Sequence, residues 1–331
     1  MRSKKNVETI KLVTGETLKA EFNNYKDMAI SAVDWTLFCS YQLKPNFSEG
    51  EYKILQLPSM QIVSTSMTGG IMFDYVLPKD CITISVLKKI SKKACIDQMK
   101  LRSDMIVITD DVKKYNFMCS DDVEIFDISF NKNLNGRLIK ILSDSVDKYY
   151  VDEDKKIGLL IENIINKHTN TTISKQNSRK IEVEITNAML KLFEVQEAQI
   201  PSFTKSEEIA IKIKQELFMH MDWTMTISYL TNEYNISEKS LQNAFKSLFG
   251  ITPNQFIRLL KLNIVNHELM QSSFHTTSVQ KIARKWGFEH MGRFSKYYSD
   301  LFGEKPSVVL RADMQRDLGN LHCVERKEEI V

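Results

Sequence analysis

The sequence predicts an α+β protein: a β-rich N-terminal region, a middle set of helices, and an all-α C-terminal region that carries one helical motif twice. Three observations predict it. Short runs rich in Ile, Val and aromatic residues recur between about residues 50 and 130. From about residue 136 the apolar positions fall at i, i+3, i+4 and i+7, the spacing of one face of a helix. The hexapeptide LFGITP at 248–253 returns as LFGEKP at 301–306.

The β-rich runs are YKILQL, MQIVSTSM, IMFDYVL, CITISVL, DMIVITD, YNFMC and VEIFDISF. Turn residues separate them at Pro58-Ser59, Gly69-Gly70, Pro78-Lys79-Asp80, Asp110-Asp111 and Ser120-Asp121-Asp122. Many short strands at this spacing imply a sandwich or barrel. The segments GRLIKILSDSVDKYY, KKIGLLIENIINKH and SRKIEVEITNAMLKLFEVQ read as amphipathic helices, with the polar stretch 168–178 as a loop. A break near Pro201 precedes the C-terminal region. The expected division is 1–135, 136–204, 205–315 and a charged tail, 316–331.

Within the C-terminal region the repeat is a helix, a tight turn, a second helix and a Gly-containing stop followed by proline. Leu241 and Phe245 align with Phe294 and Tyr298 at an offset of 53, whereas Ile227, Leu230 and Thr231 align with Val279, Ile282 and Ala283 at 52. The extra residue must therefore fall in the second turn, around Gly287-Phe288-Glu289. This is a helix-turn-helix, present twice. Ser237 suits the N-cap of the first unit's second helix. Gly250 and Gly303 suit the left-handed position that closes each second helix. Thr252-Pro253 opens a connecting helix of about 18 residues, roughly 27 Å long. Neighbouring major-groove faces on one side of B-DNA lie about 34 Å apart, so such a helix suits two groove-reading units.

Composition excludes more than it selects. The 331 residues are 43% hydrophobic and 26% charged, as in ordinary globular proteins, and no apolar run is long enough to span a bilayer. The N-terminus has no apolar signal core, and the five cysteines are scattered without a C-x-x-C pair; both point to a reduced, cytoplasmic setting without a membrane. Net charge is only +3, but residues 205–312 hold 14 Lys/Arg against 10 Asp/Glu while the remainder holds 31 against 32. The basic excess lies with the duplicated motif and permits a polyanionic partner. No histidine occurs in the β-rich region, and no G-x-S-x-G, Walker-A or H-E-x-x-H run is present. The sequence therefore predicts no enzyme, no metal and no cofactor.

Residues 208–312 resemble the DNA-binding domain of AraC/XylS-type transcription regulators. Ser237, Leu241, Phe245, Gly250, Pro253 and Phe256 carry the first signature. Lys261-Leu262, Val265 and Leu269 stand in the connecting helix. Ile282-Ala283, Gly287-Phe288, Phe294-Ser295, Tyr298, Phe302-Gly303 and Pro306-Ser307 carry the second. The variant GFEHMGRF with LFGEKPS is similar to ethanolamine-operon-type regulators. QLKPNFSEG at 42–50 resembles the opening of the sensor domain in such proteins, with Asn46 in place of Gly. The resemblance implies a cupin- or jelly-roll-like sensor, double-stranded promoter or operator DNA, RNA polymerase and a small-molecule effector as partners, and activation of transcription. The middle helices suit a homodimer interface or packing within one chain.

The apolar repeat positions are read as core, so the base readers are expected on the opposite faces. In the first unit these are Lys239, Gln242, Asn243 and Lys246; in the second, His290, Gly292, Arg293 and Lys296. Gln and Asn match the adenine edge, while Lys and Arg match guanine or phosphate. Arg258 and Lys261 are candidate phosphate contacts. Glu238 opposes phosphate and the first unit's reading helix holds no Arg, so the second unit is expected to contribute more electrostatic affinity. Gly292 costs roughly 1 kcal/mol in a helix interior but would let the backbone approach DNA. Trp35, Phe38, Phe73 and Tyr75 are candidates for an effector pocket or plain core. Two other readings stay open: a DNA-binding regulator whose N-terminal region is a ligand-free interaction or dimerisation module, and a metal-free enzyme whose C-terminal helices merely pack.

Overall fold

The computed structural model describes residues 12–22, 36–45, 49–90, 93–134, 136–169, 171–219 and 226–311. It is α+β, with the β-strands in the N-terminal part and the C-terminal part entirely helical. Two antiparallel sheets face one another. The larger holds β1 (Thr17–Phe22), β3 (Gly50–Gln56), β4 (Met60–Met67), β11 (Val123–Asn131), β6 (Cys81–Ile90), β9 (Met105–Asp110) and β12 (Tyr149–Val151), in that spatial order. The smaller holds β2 (Thr36–Gln42), β5 (Ile71–Val76), β10 (Tyr115–Cys119), β7 (Ala94–Ile96) and β8 (Met99–Leu101).

Side-chain alternation along these strands builds layers, because successive residues point to opposite faces. One face of the larger sheet, with Ile62, Ile84, Ile106, Phe126 and Ile128, is covered by α1 (Arg137–Ser143), α2 (Lys156–His168) and α3 (Lys175–Val195) through Leu142, Ile161, Ile185 and Met189. The other face meets the smaller sheet across a second core that includes Tyr52, Val107, Val123, Tyr75 and Phe117. At Gly50 a side chain is excluded by packing: a Cβ there would lie 2.0 Å from the Phe22 ring.

The turn residues recognised in the sequence lie between strands, except Asp110, which is the last residue of β9, and Asp80 adopts the left-handed conformation at φ 61. Two readings are corrected by tertiary structure. The segment GRLIKILSDSVDKYY is not one helix. It splits into α1 and β12, whose Tyr149–Val151 pairs with β9 and completes the sheet edge. Strands β1 and β2 precede the stretch in which β texture is readable; β1 is held by pairing with β3. The loop between α2 and α3 is also shorter than 168–178, because Ser174 caps α3 and helix begins at Lys175.

The helical part follows as α4 (Lys205–Met219), α5 (Ile227–Glu233), α6 (Glu238–Phe249), α7 (Pro253–Gln271), α8 (Val279–Lys285), α9 (Met291–Phe302) and α10 (Pro306–Arg311). The outer face of the smaller sheet packs directly on it: Leu43, Met72, Cys95 and Met118 share a core with Ile211, Leu241, Phe245 and Phe249. Among the described residues no helix is long and apolar enough to cross a membrane.

Candidate nucleic-acid interface

Helices α5 and α6 form one helix-turn-helix; α8 and α9 form the other. The first helices start at 227 and 279 and the second at 238 and 291, so the one-residue difference falls in the second turn. Each turn contains one left-handed residue, Asn235 at φ 46 and Gly287 at φ 78. Each second helix ends on a left-handed glycine, Gly250 or Gly303, both at φ 74. Thr252 and Gln255 form a reciprocal capping box with Pro253 at the first helical position of α7. At 19 residues, α7 is about 28 Å long.

The inner faces are fixed by burial. Leu241, Phe245, Phe256, Phe294 and Tyr298 are each at most 1% exposed. Tyr298 also donates from its hydroxyl to Asn266 Oδ1 at 2.6 Å, which anchors α9 to the connecting helix. Trp286 is half-buried and donates its indole N–H to Glu268 Oε2 at 2.5 Å; Lys285 pairs with the same carboxylate.

On the opposite face of α6, Lys239, Asn243 and Lys246 are exposed. Gln242 is half-buried and donates to Glu238 Oε1 at 3.0 Å, one helical turn back. One amide proton of this base-reading candidate is thus held by the acidic residue beside it, leaving Oε1 and the second proton outward. On α9, Arg293 and Lys296 are exposed, as are Gly292 and His290. Among the described residues, none of Lys239, Lys246, Arg293 and Lys296 has a side-chain hydrogen bond or ion pair. A Cβ on Gly292 would meet nothing within 4 Å, so the position is open.

The helix starts differ. Thr226, Ser237, Thr252 and Ser278 each accept a backbone N–H with the side chain, capping α5, α6, α7 and α8. His290, at the N-cap of α9, makes no such bond. The first N–H groups of α9 are left facing outward beside Arg293, an arrangement that favours an anion.

Arg258 and Lys261, on α7, both lie against the second unit. The Arg258 guanidinium sits 4.3 Å over the Tyr297 ring, which fixes its plane while its edge keeps N–H donors. Lys261 is half-buried, and desolvation pushes its pKa down. Its Nζ lies 3.0 Å from where a Gly287 Cβ would stand, so that glycine leaves room for the ammonium in the turn.

Of the effector candidates, Tyr75 is buried and Phe73 half-buried between the two sheets, with their rings 6.0 Å apart. Phe38 lies on β2, paired with Asp74, but its side chain is outside the described set; Trp35 lies outside the described residues. Sequence reading missed Gln42. Its backbone N–H donates to Asn263 Oδ1 at 2.8 Å, and Asn263 Nδ2 donates back to Gln42 O at 2.8 Å. Its side chain donates to Leu301 O of α9 at 2.7 Å. One residue of β2 therefore touches the connecting helix and the second reading helix. The only sequence signal was its place at the head of the QLKPNFSEG motif.

Residues 230–312 match the family model described as a helix-turn-helix domain. The chain is 30% identical over 92 residues to the probable thc operon regulatory protein of Rhodococcus erythropolis, covering 28% of each. It is 32% identical over 109 residues to the XylDLEGF operon transcriptional activator of Pseudomonas putida, covering 33% of this chain and 34% of that one. The chain thus spans about a third of the length of these curated relatives. Among solved structures, the AraC-like transcriptional activator CuxR aligns with a TM-score of 0.38 at 13% identity, over 65% of this chain and 79% of that one.

Proposed function

We propose that this chain is a sequence-specific DNA-binding transcription regulator, an activator that responds to a small-molecule effector. The observation that carries the reading is the pair of helix-turn-helix units joined by α7. Each second helix has a buried inner face and a polar outer face, and both second helices lie in the segment that matches the helix-turn-helix model. The bases would be read by Gln242 and Asn243 from α6 and by Arg293 and Lys296 from α9. Lys239, Lys246 and His290 flank these positions, and Gly292 allows close approach. Arg258 and Lys261 would hold phosphates and so set register rather than sequence. The GFEHMGRF signature supports an ethanolamine-operon type for the second unit.

In this reading residues 1–135 sense the effector, 136–204 couple or dimerise, 205–315 bind DNA, and 316–331 form a charged tail; the protein works in the cytoplasm without catalysis. Exposed Leu159 and Val183 on α2 and α3 support a homodimer through the helical layer. Recruitment of RNA polymerase is the step by which activation would occur.

The test is a salt titration of binding to the protein's own upstream region, with Arg293→Ala and Gln242→Ala beside the parent. Several phosphate contacts require affinity to fall steeply as salt rises. Flat salt dependence, or both variants binding a footprinted site as tightly and selectively as the parent, refutes the reading.

A further inference from the structure

The buried face of α7 is apolar except at Asn263 and Asn266. Asparagine is a poor helix former, and a buried amide is costly unless it is hydrogen-bonded. Both amides are bonded, and both lead to the second reading helix. Asn266 Oδ1 accepts from the Tyr298 hydroxyl of α9 at 2.6 Å. Asn263 is bonded reciprocally to the main chain of Gln42, whose side chain donates to Lys44 O and to Leu301 O of α9, each at 2.7 Å. Asn263, Gln42, Leu301, Tyr298 and Asn266 thus close a polar circuit from α7 to β2, on to α9 and back to α7.

Each step of the circuit has a local cause. β2 is an edge strand, so the outward N–H and C=O of Gln42 have no neighbouring strand to pair with. The Asn263 amide offers an acceptor and a donor side by side and completes that edge as a strand would. Leu301 lies in the last turn of α9, where carbonyls lack intrahelical donors, and Gln42 Nε2 supplies one. The apolar core of the second unit is non-directional and would tolerate a small rotation of α9. The hydrogen bonds fix distance and angle.

The first reading helix closes against the same end of the smaller sheet. A Cβ on Gly250, at the end of α6, would lie 3.2 Å from Ser120 Oγ and 3.4 Å from Lys93 Cγ. The register sets Gln42 opposite Ile71 and Ile71 opposite Cys119, so Gln42 and the residue before Ser120 lie two strand spacings apart, about 10 Å. These two points are tied to one another. Leu43 N–H donates to Gly70 O at 2.9 Å, a Cβ on Gly70 would stand 3.1 Å from Ser120 O, and Lys44 pairs with Asp121 at 2.7 Å. One end of one sheet therefore meets the C-terminal ends of both reading helices.

We propose that Gln42 is a positioning residue for DNA recognition. Through it the end of the smaller sheet holds α9 at a fixed separation and angle from α6, and so sets the spacing between the two half-sites that the chain accepts. The proposal rests on the DNA-binding reading above. B-DNA advances about 3.4 Å and turns roughly 35° per base pair, so one added or removed pair displaces a half-site further than hydrogen-bonded helix ends can follow.

The experiment selects duplexes from a random pool with the full chain, and repeats the selection with Gln42→Met and Gln42→Asn. Met keeps the size without a donor, and Asn keeps an amide one carbon too short to reach Leu301 O. Both leave the main-chain bonds to Asn263 in place, and a cooperative melt shows that each is folded. The parent should recover two sequence blocks at a single spacing. One base pair inserted or deleted between the blocks should cost the parent at least about tenfold in affinity and each variant about threefold or less. The variants should recover the same blocks at several spacings. A residue that merely stabilises the fold would weaken binding at every spacing by one factor and leave that ratio unchanged. An undiminished spacing cost in a folded variant overturns the proposal and leaves the DNA-binding reading intact. Variable spacing in the parent's own pool, loss of a sequence block in a variant, or failure of both variants to fold overturns it as well. Recovery of no duplex by the parent refutes the DNA-binding reading, and the proposal falls with it.

Discussion

The two helix-turn-helix units share a backbone plan but not a setting. The core of the first is continuous with the N-terminal sheet, where Leu43, Met72, Cys95 and Met118 pack with Leu241, Phe245 and Phe249. The core of the second is built from its own helices and the connecting helix, through Leu262, Val265, Ile282, Phe294 and Tyr298. Polar contacts follow the same division. Near the first unit, Lys214 of α4 donates to Asn116 at 2.7 Å and lies 5.5 Å over the Phe249 ring, and Glu207 joins Lys100 of β8 to Ser247 of α6. The carboxyl of Glu207 is held down at about 2, burial being outweighed by its bonds to Lys100 and Ser247. The second unit has Gln42 as its tie to the sheet. The same local sequence pattern thus yields one unit whose core is continuous with the N-terminal sheet and one packed on the connecting helix and bonded to the sheet through Gln42. In the proposed reading, a change at the sheet would be felt first by α6, while α9, with Arg293, Lys296 and an uncapped start, would hold the phosphate backbone.

The largest effect that would break this contrast comes from core truncation. Phe245→Ala and Phe294→Ala should each cost about 3–5 kcal/mol. Phe294→Ala should loosen only α8 to α10 in hydrogen exchange, whereas Phe245→Ala should lower the protection of β7 and β10 as well. Equal spread from both would mean that the units are not differently coupled. Arg293→Ala should weaken DNA binding by about 2 kcal/mol, roughly thirtyfold, and Gln242→Ala by about half that free energy, since its amide is shared with Glu238. The reverse order in a titration at fixed salt would assign the electrostatic lead to the first unit. Gly292→Leu should leave Tm unchanged or higher, because Leu is the better helix former by about 1 kcal/mol, and still reduce affinity about tenfold. A variant that binds normally removes the close-approach role. The smallest expected change is Gln42→Ala, about 1 kcal/mol in stability for the bond to Leu301 O. Its mark should be faster exchange at the C-terminal end of α9 with the first unit unaffected.

Glu207 adds a pH test of the docked side. Its folded pKa lies below its unfolded one, so its contribution is complete above the unfolded value of about 4.3 and is lost as pH falls through about 2. Because Lys100 and Glu207 are partly accessible at the lysine end, the contribution is modest. Acid should loosen α4 and α6 from β8 in the parent, whereas Glu207→Gln should show the loosened pattern already at pH 7; indistinguishable exchange in the two would dismiss the pair as a tether.

The sequence by itself determined the parts whose information is local. Caps, left-handed glycines and the 3.6-residue period are written in neighbouring residues, so Ser237, Gly250, Thr252-Pro253 and Gly303 announced helix ends, and the offsets of 52 and 53 announced the longer second turn. The outward faces of α6 and α9 follow once the buried faces are known. Only tertiary structure decided what depends on partners distant in the chain. Tyr149–Val151 is a strand because β9 offers an edge. Gln42 became a junction because Asn263 and Leu301, more than 200 residues away, converge on it. The polar face of β6 and β11 turned inward because helices cover the face with more apolar surface. Alternation in a strand specifies two faces but not which of them looks into the sandwich, and that choice is made by what packs on the other side.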